Sequence, residues 1–334
     1  MKIFSEISEA FGLYAQIRKI QPLNSGGIHR TYQIQLMTGE NYILQKMNTE
    51  AFQNPETVME NLQIAGLYLK DSFPEKRILH FYQTAEGKYL YQNWRLMDCI
   101  SGYSMKTCEN LEQIHQAGQA FGAFQKAVSK IPAEALKSVI PEFHNTKAYF
   151  QKLKALEIRS EETELLKSWQ ERACFVQEAY LKEKIPFRTV HYDMKCSNLL
   201  FDKETNQPVA VIDWDTIMSG MPVYDFGDAV RSFASNVSSS ERDLNLVGLD
   251  MRKFKAFTSG WMEEAELLPE EKKLLIPSIF SVTVELAVRY LTDYLQGNLY
   301  FKTEFPEQNL IRAKNQIKLA EEILKHESEM ENCL

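Results

Sequence analysis

The chain is short of every feature that would give it a scaffold other than a hydrophobic core. Its 334 residues hold five cysteines (99, 108, 174, 196 and 333), scattered and without a C-x-x-C pair. That excludes a disulfide framework and a cysteine-based zinc site, and it suits a reducing cytosol. No block of basic residues is present and the formal net charge is −7, which argues against nucleic acid as a partner. No apolar run is expected to reach a bilayer span, so no membrane association is expected. The opening stretch MKIFSEISEAFG is charged and amphipathic rather than a secretory leader. Repeats and low-complexity segments are missing, as are a Walker A loop and a G-x-G-x-x-G fingerprint, which sets aside P-loop and Rossmann nucleotide sites. What remains is 44% apolar and 25% charged, an ordinary globular balance with enough chain for one large domain or two. A cytoplasmic protein is expected.

The pattern along the chain changes near residue 100. Before it, 14–23, 31–36 and 41–47 read as strands, the last two joined by a turn containing T-G-E. Asn54-Pro55 opens a helix to about Leu69, with Val58, Leu62, Ala65 and Leu69 at helical spacing. The stretches 77–82 and 88–99 again read as strands. After I-S-G-Y-S the periodicity becomes helical over 111–128, 146–156 and 163–184, and from Asp250 to the end. Between lies an island, 187–215, that reads as a loop followed by a short β-hairpin. The expectation is an α+β chain with two lobes, a small β-rich one over 1–99 and a larger, mostly helical one over 100–334.

The island carries the chemistry. H-Y-D-M-K-C-S-N places Asp193 and Asn198 at the spacing of a kinase catalytic loop, and Asp213 ends the apolar strand V-A-V-I fifteen residues beyond Asn198. Transfer of a γ-phosphoryl group needs a hard cation on the phosphate oxygens, held by carboxylate and amide oxygens, plus one carboxylate to orient the nucleophile. Asp193 is therefore the candidate catalytic base, Asn198 and Asp213 the candidate ligands of Mg²⁺, and ATP the expected phosphoryl donor. Any one of these residues alone is a common turn former; the joint pattern is what points to a site. His191 reads as scaffold.

The first lobe supplies candidate nucleotide contacts. Lys46 ends the strand Y-I-L-Q-K, where a kinase lysine meets phosphates, and Glu60 on the next helix is its expected partner. The N-S-G-G loop (24–27), with Ser25 and Gly26, is a candidate phosphate cover through backbone N–H groups, although a plain hairpin turn reads nearly as well. Backbone near Met97 to Ile100 is the expected adenine hinge. Cys196 has no base beside it and is discounted as a nucleophile. The acidic run 263–271 reads as a solvated helix face and turn. His29, His80, His115, His144 and His326 show no metal-ligand spacing.

These residues resemble the aminoglycoside phosphotransferase and choline kinase superfamily, relatives of protein kinases with the same two-lobed fold, over essentially the whole chain. Within it the likeness is greatest to the N-acetylhexosamine 1-kinases. It is carried by Y-I-L-Q-K-M-N with N-P-E-T-V-M-E-N, by V-I-D-W-D-T-I-M-S-G-M-P-V-Y-D-F-G-D-A-V-R, and by R-Y-L-T-D-Y-L-Q-G-N-L-Y-F. The resemblance implies phosphorylation of the anomeric hydroxyl of N-acetylglucosamine or N-acetylgalactosamine, with sugar contacts from Asp193, Arg289 and Tyr300. On the residues alone, Arg289 reads as the partner of Asp293 on the same helix and Tyr300 as core. Two departures stand out: Gly27 occupies the place of an expected histidine, with His29 two places later, and D-W-D replaces D-L-D. Other readings keep the fold with a choline, amino alcohol, methylthio sugar or aminoglycoside acceptor, or make the chain a nucleotide-binding pseudokinase. The last is disfavoured because Asp193, Asn198 and Asp213 are all present. Beyond the small-molecule substrate, no partner is implied.

Overall fold

The computed structural model describes residues 2–13, 17–23, 28–74 and 77–334. The chain divides into two compact units, Met1–Ser101 and Gly102–Leu334.

The first unit is built on one antiparallel sheet. After helix α1 (Lys2–Ala10) come β1 (Ile17–Leu23), β2 (Arg30–Leu36), β3 (Asn41–Lys46), helix α2 (Pro55–Leu69), β4 (Phe81–Tyr82) and β5 (Trp94–Asp98), in the sheet order β1-β2-β3-β5-β4. The β2–β3 hairpin closes where the T-G-E signal placed it, with Gly39 taking φ +94. α2 starts at Asn54, whose side chain accepts from the Thr57 N–H, and Pro55 fills the first turn, where no N–H is needed. Its inward face buries Val58, Met59, Leu62, Ala65 and Leu69; each large side chain so buried is worth about 1.5–3 kcal/mol. On the sheet, Ile34, Leu36, Leu44, Trp94 and Leu96 form a core that Ile7 and Phe11 complete.

The amphipathic start is helix α1, which lays Ile7 on the sheet. Two expectations need correction here. The strand expected over 77–82 shortens to two residues. The strand expected over 88–99 begins only at Trp94, because Gln92 and Asn93 both take positive φ (48° and 65°) and fold Tyr91 back onto Trp94.

The second unit is helical with two short ribbons. Its elements are α3 (Leu111–Val128), α4 (Thr146–Ala155), α5 (Glu161–Ser168), α6 (Gln170–Lys182), β6 (Arg188–Val190), β7 (Leu199–Phe201), β8 (Pro208–Val211), β9 (Met218–Gly220), α7 (Pro222–Phe233), α8 (Met251–Glu264), α9 (Pro269–Lys272), α10 (Leu275–Leu295) and α11 (Gln308–Glu331). β7 pairs with β8 as the expected hairpin, and β6 pairs with β9 across it, a contact that local pattern does not reveal. The 163–184 helix divides at Trp169 into α5 and α6, α5 beginning at a Ser160–Thr163 capping box. α3 and α8 cross at glycines: a methyl group on Gly118 would lie 2.2 Å from the Phe257 carbonyl oxygen, and one on Gly260 2.0 Å from that of His115.

Two further expectations are overturned in this unit. α10 is, among the described residues, long and apolar enough by length and composition to span a bilayer, with mean hydropathy 1.3. It is instead a core helix, 78% of that window being buried, and it carries Glu285, Arg289 and Asp293 inward. The acidic run 263–271 is not all solvated: Glu271 is buried, salt-bridged to Arg188 at 2.6 Å and capping α9 through the Leu268 N–H.

Candidate active site

The loop between β6 and β7 is held from below by helix α7. Asp225, fully buried, accepts from the backbone N–H groups of His191 (3.0 Å) and Tyr192 (2.7 Å). One helical turn and two turns further on, Asp228 and Ser232 continue the same stripe; the Ser232 hydroxyl accepts from the Cys196 N–H at 2.8 Å. Burial pushes the Asp225 carboxyl up to about 7, against the pull of its two N–H donors. Other ties converge on the same few residues. Thr216 donates to the His191 carbonyl (2.7 Å), the Tyr192 hydroxyl accepts from the Met221 N–H (3.0 Å), and Ile212 N–H meets the Asn198 carbonyl (2.9 Å).

His191 is scaffold, as its setting in the sequence implied. Its Nδ1 accepts from the Asp193 N–H (3.1 Å), which leaves Nε2 to donate to the Ile212 carbonyl (3.1 Å). Burial holds its pKa below the usual histidine range. Tyr192 (φ +63) and Asp213 (φ +65) are both left-handed and not glycine. Such backbone costs about 1–3 kcal/mol per residue and persists only where the surroundings over-determine it, as at functional loops.

Within this frame the structure brings Asp193, Lys195 and Asn198 together. The Asp193 carboxylate takes the Lys195 ammonium at 2.5 Å, and the Asn198 amide nitrogen donates to the same oxygen (2.9 Å) and to the Asp193 carbonyl (2.8 Å). Burial opposes ionisation of Asp193, but Lys195 and Asn198 outweigh it and hold the carboxyl below the usual range. Burial likewise opposes charge on Lys195; the carboxylates of Asp193 and Asp213 overcome it and push the ammonium above the usual lysine range. Asp213 therefore lies within electrostatic reach of the same lysine. It is half-buried at the head of a short 3₁₀ turn, whereas Asp215 two residues on is 3% exposed. Trp214 between them is core and donates its indole N–H to the Val211 carbonyl (2.8 Å), which accounts for the aromatic residue there.

Asn198 donates its amide nitrogen to Asp193. Its amide oxygen and the Asp213 carboxylate are hard oxygen donors of the kind that could hold a divalent cation. Among the described residues no group of three or more His, Cys, Asp or Glu side chains is set to hold a metal unaided.

Arg289 and Tyr300 also meet. The Arg289 guanidinium is walled by four rings: Phe143 at 5.0 Å, Tyr149 at 5.2 Å, Phe301 at 5.6 Å and Tyr300 at 5.9 Å from their centroids. Its carboxylate neighbour is Glu285, one turn back on α10 at 4.0 Å, not Asp293. Asp293 is occupied with the loop after α10, where it accepts from the N–H groups of Leu299 (2.9 Å), Tyr300 (2.8 Å) and Phe301 (3.0 Å) and from the Asn309 side chain (2.9 Å). This carboxylate carries the two rings onto Arg289. Phe143 in turn packs against Tyr192, 5.9 Å between centroids, so the boxed arginine adjoins the catalytic loop.

In the first unit, Lys46 lies over the Trp94 ring at 5.8 Å, directly across the β3–β5 pairing, while Glu60 stands on the exposed side of α2. Met97 lies inside the sheet, opposite Ile43 and Phe81, and Ile100 follows the strand's end, half-buried. Ser25 and Gly26 fall outside the described residues. His29 is turned inward, accepting from the Asn48 N–H at 3.0 Å and packing on Phe52. Sequence reasoning missed Lys195, Asp225 and Glu285, and gave Asp293 another role. Lys195 carried a local signal, a cation two places after the loop aspartate; Asp225 acts on backbone 33 and 34 residues upstream and Glu285 on His144 and Thr146, which leave no local pattern.

A model of the phosphotransferase enzyme family matches residues 19–258. Solved structures share the fold at low identity. An aminopropanol kinase associated with a microcompartment superposes with a TM-score of 0.69 at 16% identity, covering 98% of each chain. An amicoumacin kinase in complex with AMP-PNP, Ca²⁺ and amicoumacin gives 0.62 at 14%, covering 96% of this chain and 92% of its own. An ethanolamine kinase of Plasmodium vivax gives 0.60 at 14%, covering 89% and 81%. The chain belongs to the phosphotransferase enzyme family.

Proposed function

We propose that this phosphotransferase is an ATP- and Mg²⁺-dependent kinase of a neutral sugar, acting on the anomeric hydroxyl of an N-acetylhexosamine. The observation that carries the acceptor class is the boxed guanidinium. Ethanolamine and aminopropanol, named for two of the similar structures, are cationic near neutral pH, and a fixed Arg289 beside the catalytic loop repels a cation. It offers several donors to sugar oxygens, while the Tyr300 and Phe143 rings give flat apolar faces for a pyranose.

In this reading Asp193 orients the sugar hydroxyl and accepts its proton as the sugar oxygen bonds to the γ-phosphorus; the bond from that phosphorus to the β,γ-bridging oxygen breaks, and ADP leaves with the bridging oxygen. Lys195, held on Asp193, offsets negative charge gathering at the transferring group. Asn198 and Asp213 would hold the magnesium, which would supply positive charge to neutralise phosphate oxygens. The fit of the amicoumacin kinase to this fold, with AMP-PNP and Ca²⁺ bound, supports a nucleotide and a divalent cation. Lys46, with Glu60 as its partner, is proposed for the nucleotide phosphates, and backbone near Met97 to Ile100 for the adenine; the Ser25 and Gly26 part of that proposal falls outside the described residues. The work is cytoplasmic.

The test is Mg²⁺-dependent ADP release over a panel of N-acetylglucosamine, N-acetylgalactosamine, choline, ethanolamine, aminopropanol and kanamycin. An N-acetylhexosamine should be the best acceptor, and Asp193→Asn should lower kcat about 10²–10⁴-fold with ATP binding retained. A best rate with an amino alcohol would replace the acceptor class; near-normal turnover by Asp193→Asn would remove the base.

A further inference from the structure

Glu285 is buried at 1% exposure in the middle of α10, and its two oxygens are divided among three partners. Thr146 donates its hydroxyl to one at 2.7 Å; the other lies 2.9 Å from His144 Nδ1 and 4.0 Å from the Arg289 guanidinium. Burial opposes its charge, but His144 and Arg289 outweigh that and hold the carboxyl below the usual range. His144 is itself buried, and its second nitrogen, Nε2, faces the Tyr192 carbonyl at 3.3 Å. That carbonyl belongs to the residue immediately before Asp193. One imidazole therefore lies between a carboxylate shared with the acceptor arginine and the backbone carbonyl that precedes the proposed base.

The backbone around His144 is forced into this position. Glu142 (φ +59) and His144 (φ +56) are both left-handed, flanking the Phe143 that walls Arg289. Two such residues within three cost about 1–3 kcal/mol each, and the rings of Tyr192 and Tyr224, 4.5 and 5.2 Å from the imidazole, close the remaining sides. Neither residue belongs to the catalytic motif: His144 lies in the turn ahead of α4, and Glu285 in the middle of α10.

We propose that His144 and Glu285 form a positioning dyad that sets the Tyr192–Asp193 backbone of the catalytic loop. Arg289 shares the carboxylate, so the acceptor pocket and the loop are braced by the same group. This rests on the reading of Asp193 as the base. The dyad does not touch substrate; its effect falls on how well Asp193 is aimed, and a misplacement of that kind is expressed in turnover rather than in affinity.

The experiment measures kcat and both KM values for the full-length protein with ATP and N-acetylglucosamine, or with the best acceptor of the panel above. His144→Gln should lower kcat about tenfold and leave both KM values within about twofold. Glu285→Gln, which keeps the side chain's volume and a bond to the Thr146 hydroxyl, should lower kcat to a similar extent. Because the two act as one unit, the double variant should lose no more than the worse single. A role confined to stability would lower Tm in all three without this split between kcat and KM. Thr146→Val, which removes one tie to Glu285, gives the same signature at about threefold and carries the test if either larger change prevents folding. Unchanged kcat in His144→Gln, or losses that multiply in the double variant, would overturn the proposal. Unchanged sugar kinetics in Arg289→Ala alongside non-multiplying dyad losses would overturn the acceptor assignment and leave the dyad standing.

Discussion

Two loops of the second unit are organised by the same device and differ in how much else supports them. In each, a buried aspartate on a long helix collects backbone N–H groups: Asp225 takes those of His191 and Tyr192, and Asp293 takes those of Leu299, Tyr300 and Phe301. The catalytic loop has further ties from Thr216, Ser232, Met221, Ile212 and the His191 ring. The 298–301 loop adds chiefly Asn298, whose N–H meets the Asp293 carbonyl and whose side chain reaches the Pro306 carbonyl and Asn309, and Leu299 on it is 73% exposed. The loop carrying the proposed base is over-determined; the one carrying Tyr300 and Phe301 depends mainly on one carboxylate. Aim tolerates no slack, whereas an acceptor must enter and leave.

The comparison can be broken most severely at Asp225. Asp225→Ala leaves two buried N–H groups without an acceptor, each costing about 1–3 kcal/mol of stability, and should lower kcat at least about 100-fold through displaced geometry. Steady-state kinetics with urea unfolding would show it; a kcat within tenfold of wild type would mean that the other ties hold the loop alone. Asp293→Ala comes next. It should cut kcat/KM for the acceptor about 10- to 100-fold by releasing Tyr300 and Phe301, with KM for ATP unchanged, and an unaltered acceptor KM would show that the rings stay in place without it.

Ser232→Ala sharpens the contrast from the other side. Removing one tie among many should cost about 0.5–1.5 kcal/mol in stability and less than tenfold in kcat. A further effect concerns pH. Asp225 holds its proton to about pH 7 in the folded chain and loses it near 3.8 in the unfolded one. The folded state binds the extra proton between those values, so this group's contribution is full below about pH 4 and is lost as pH rises through about 7. Asp225→Asn lacks that slope. The stability gap between wild type and the variant, read from urea midpoints, should therefore narrow between about pH 4 and pH 7.

Much of this was legible in the sequence where the cause is local. Helical spacing and caps mark Leu111–Val128 and the α2 start at Asn54, and the H-x-D-x-x-x-x-N spacing brings Asp193 and Asn198 to one place. The α5–α6 break was not legible, because apolar periodicity runs through Trp169 while the backbone turns there. Nor was the partner of Arg289. Asp293 and Glu285 both lie one turn from it on α10, and only the chain's return at Gly297 (φ +93) and Asn298 (φ +61) commits Asp293 to the loop. Asp225 stood inside a quoted motif without a role, since its partners lie 33 and 34 residues upstream.

The glycine crossing of α3 and α8 has a mechanical meaning. Helices whose axes are kept apart by side chains can slide by swapping rotamers, as gears with loose teeth do. Here Gly118, Gly122 and Gly260 bring main chain against main chain, with no side chain between to re-seat. The pair can only translate as one girder. Deformation in the helical unit, whatever drives it, must be taken up at joints elsewhere, and even the smallest lever, a single methyl group at any of these positions, would pry the girder open.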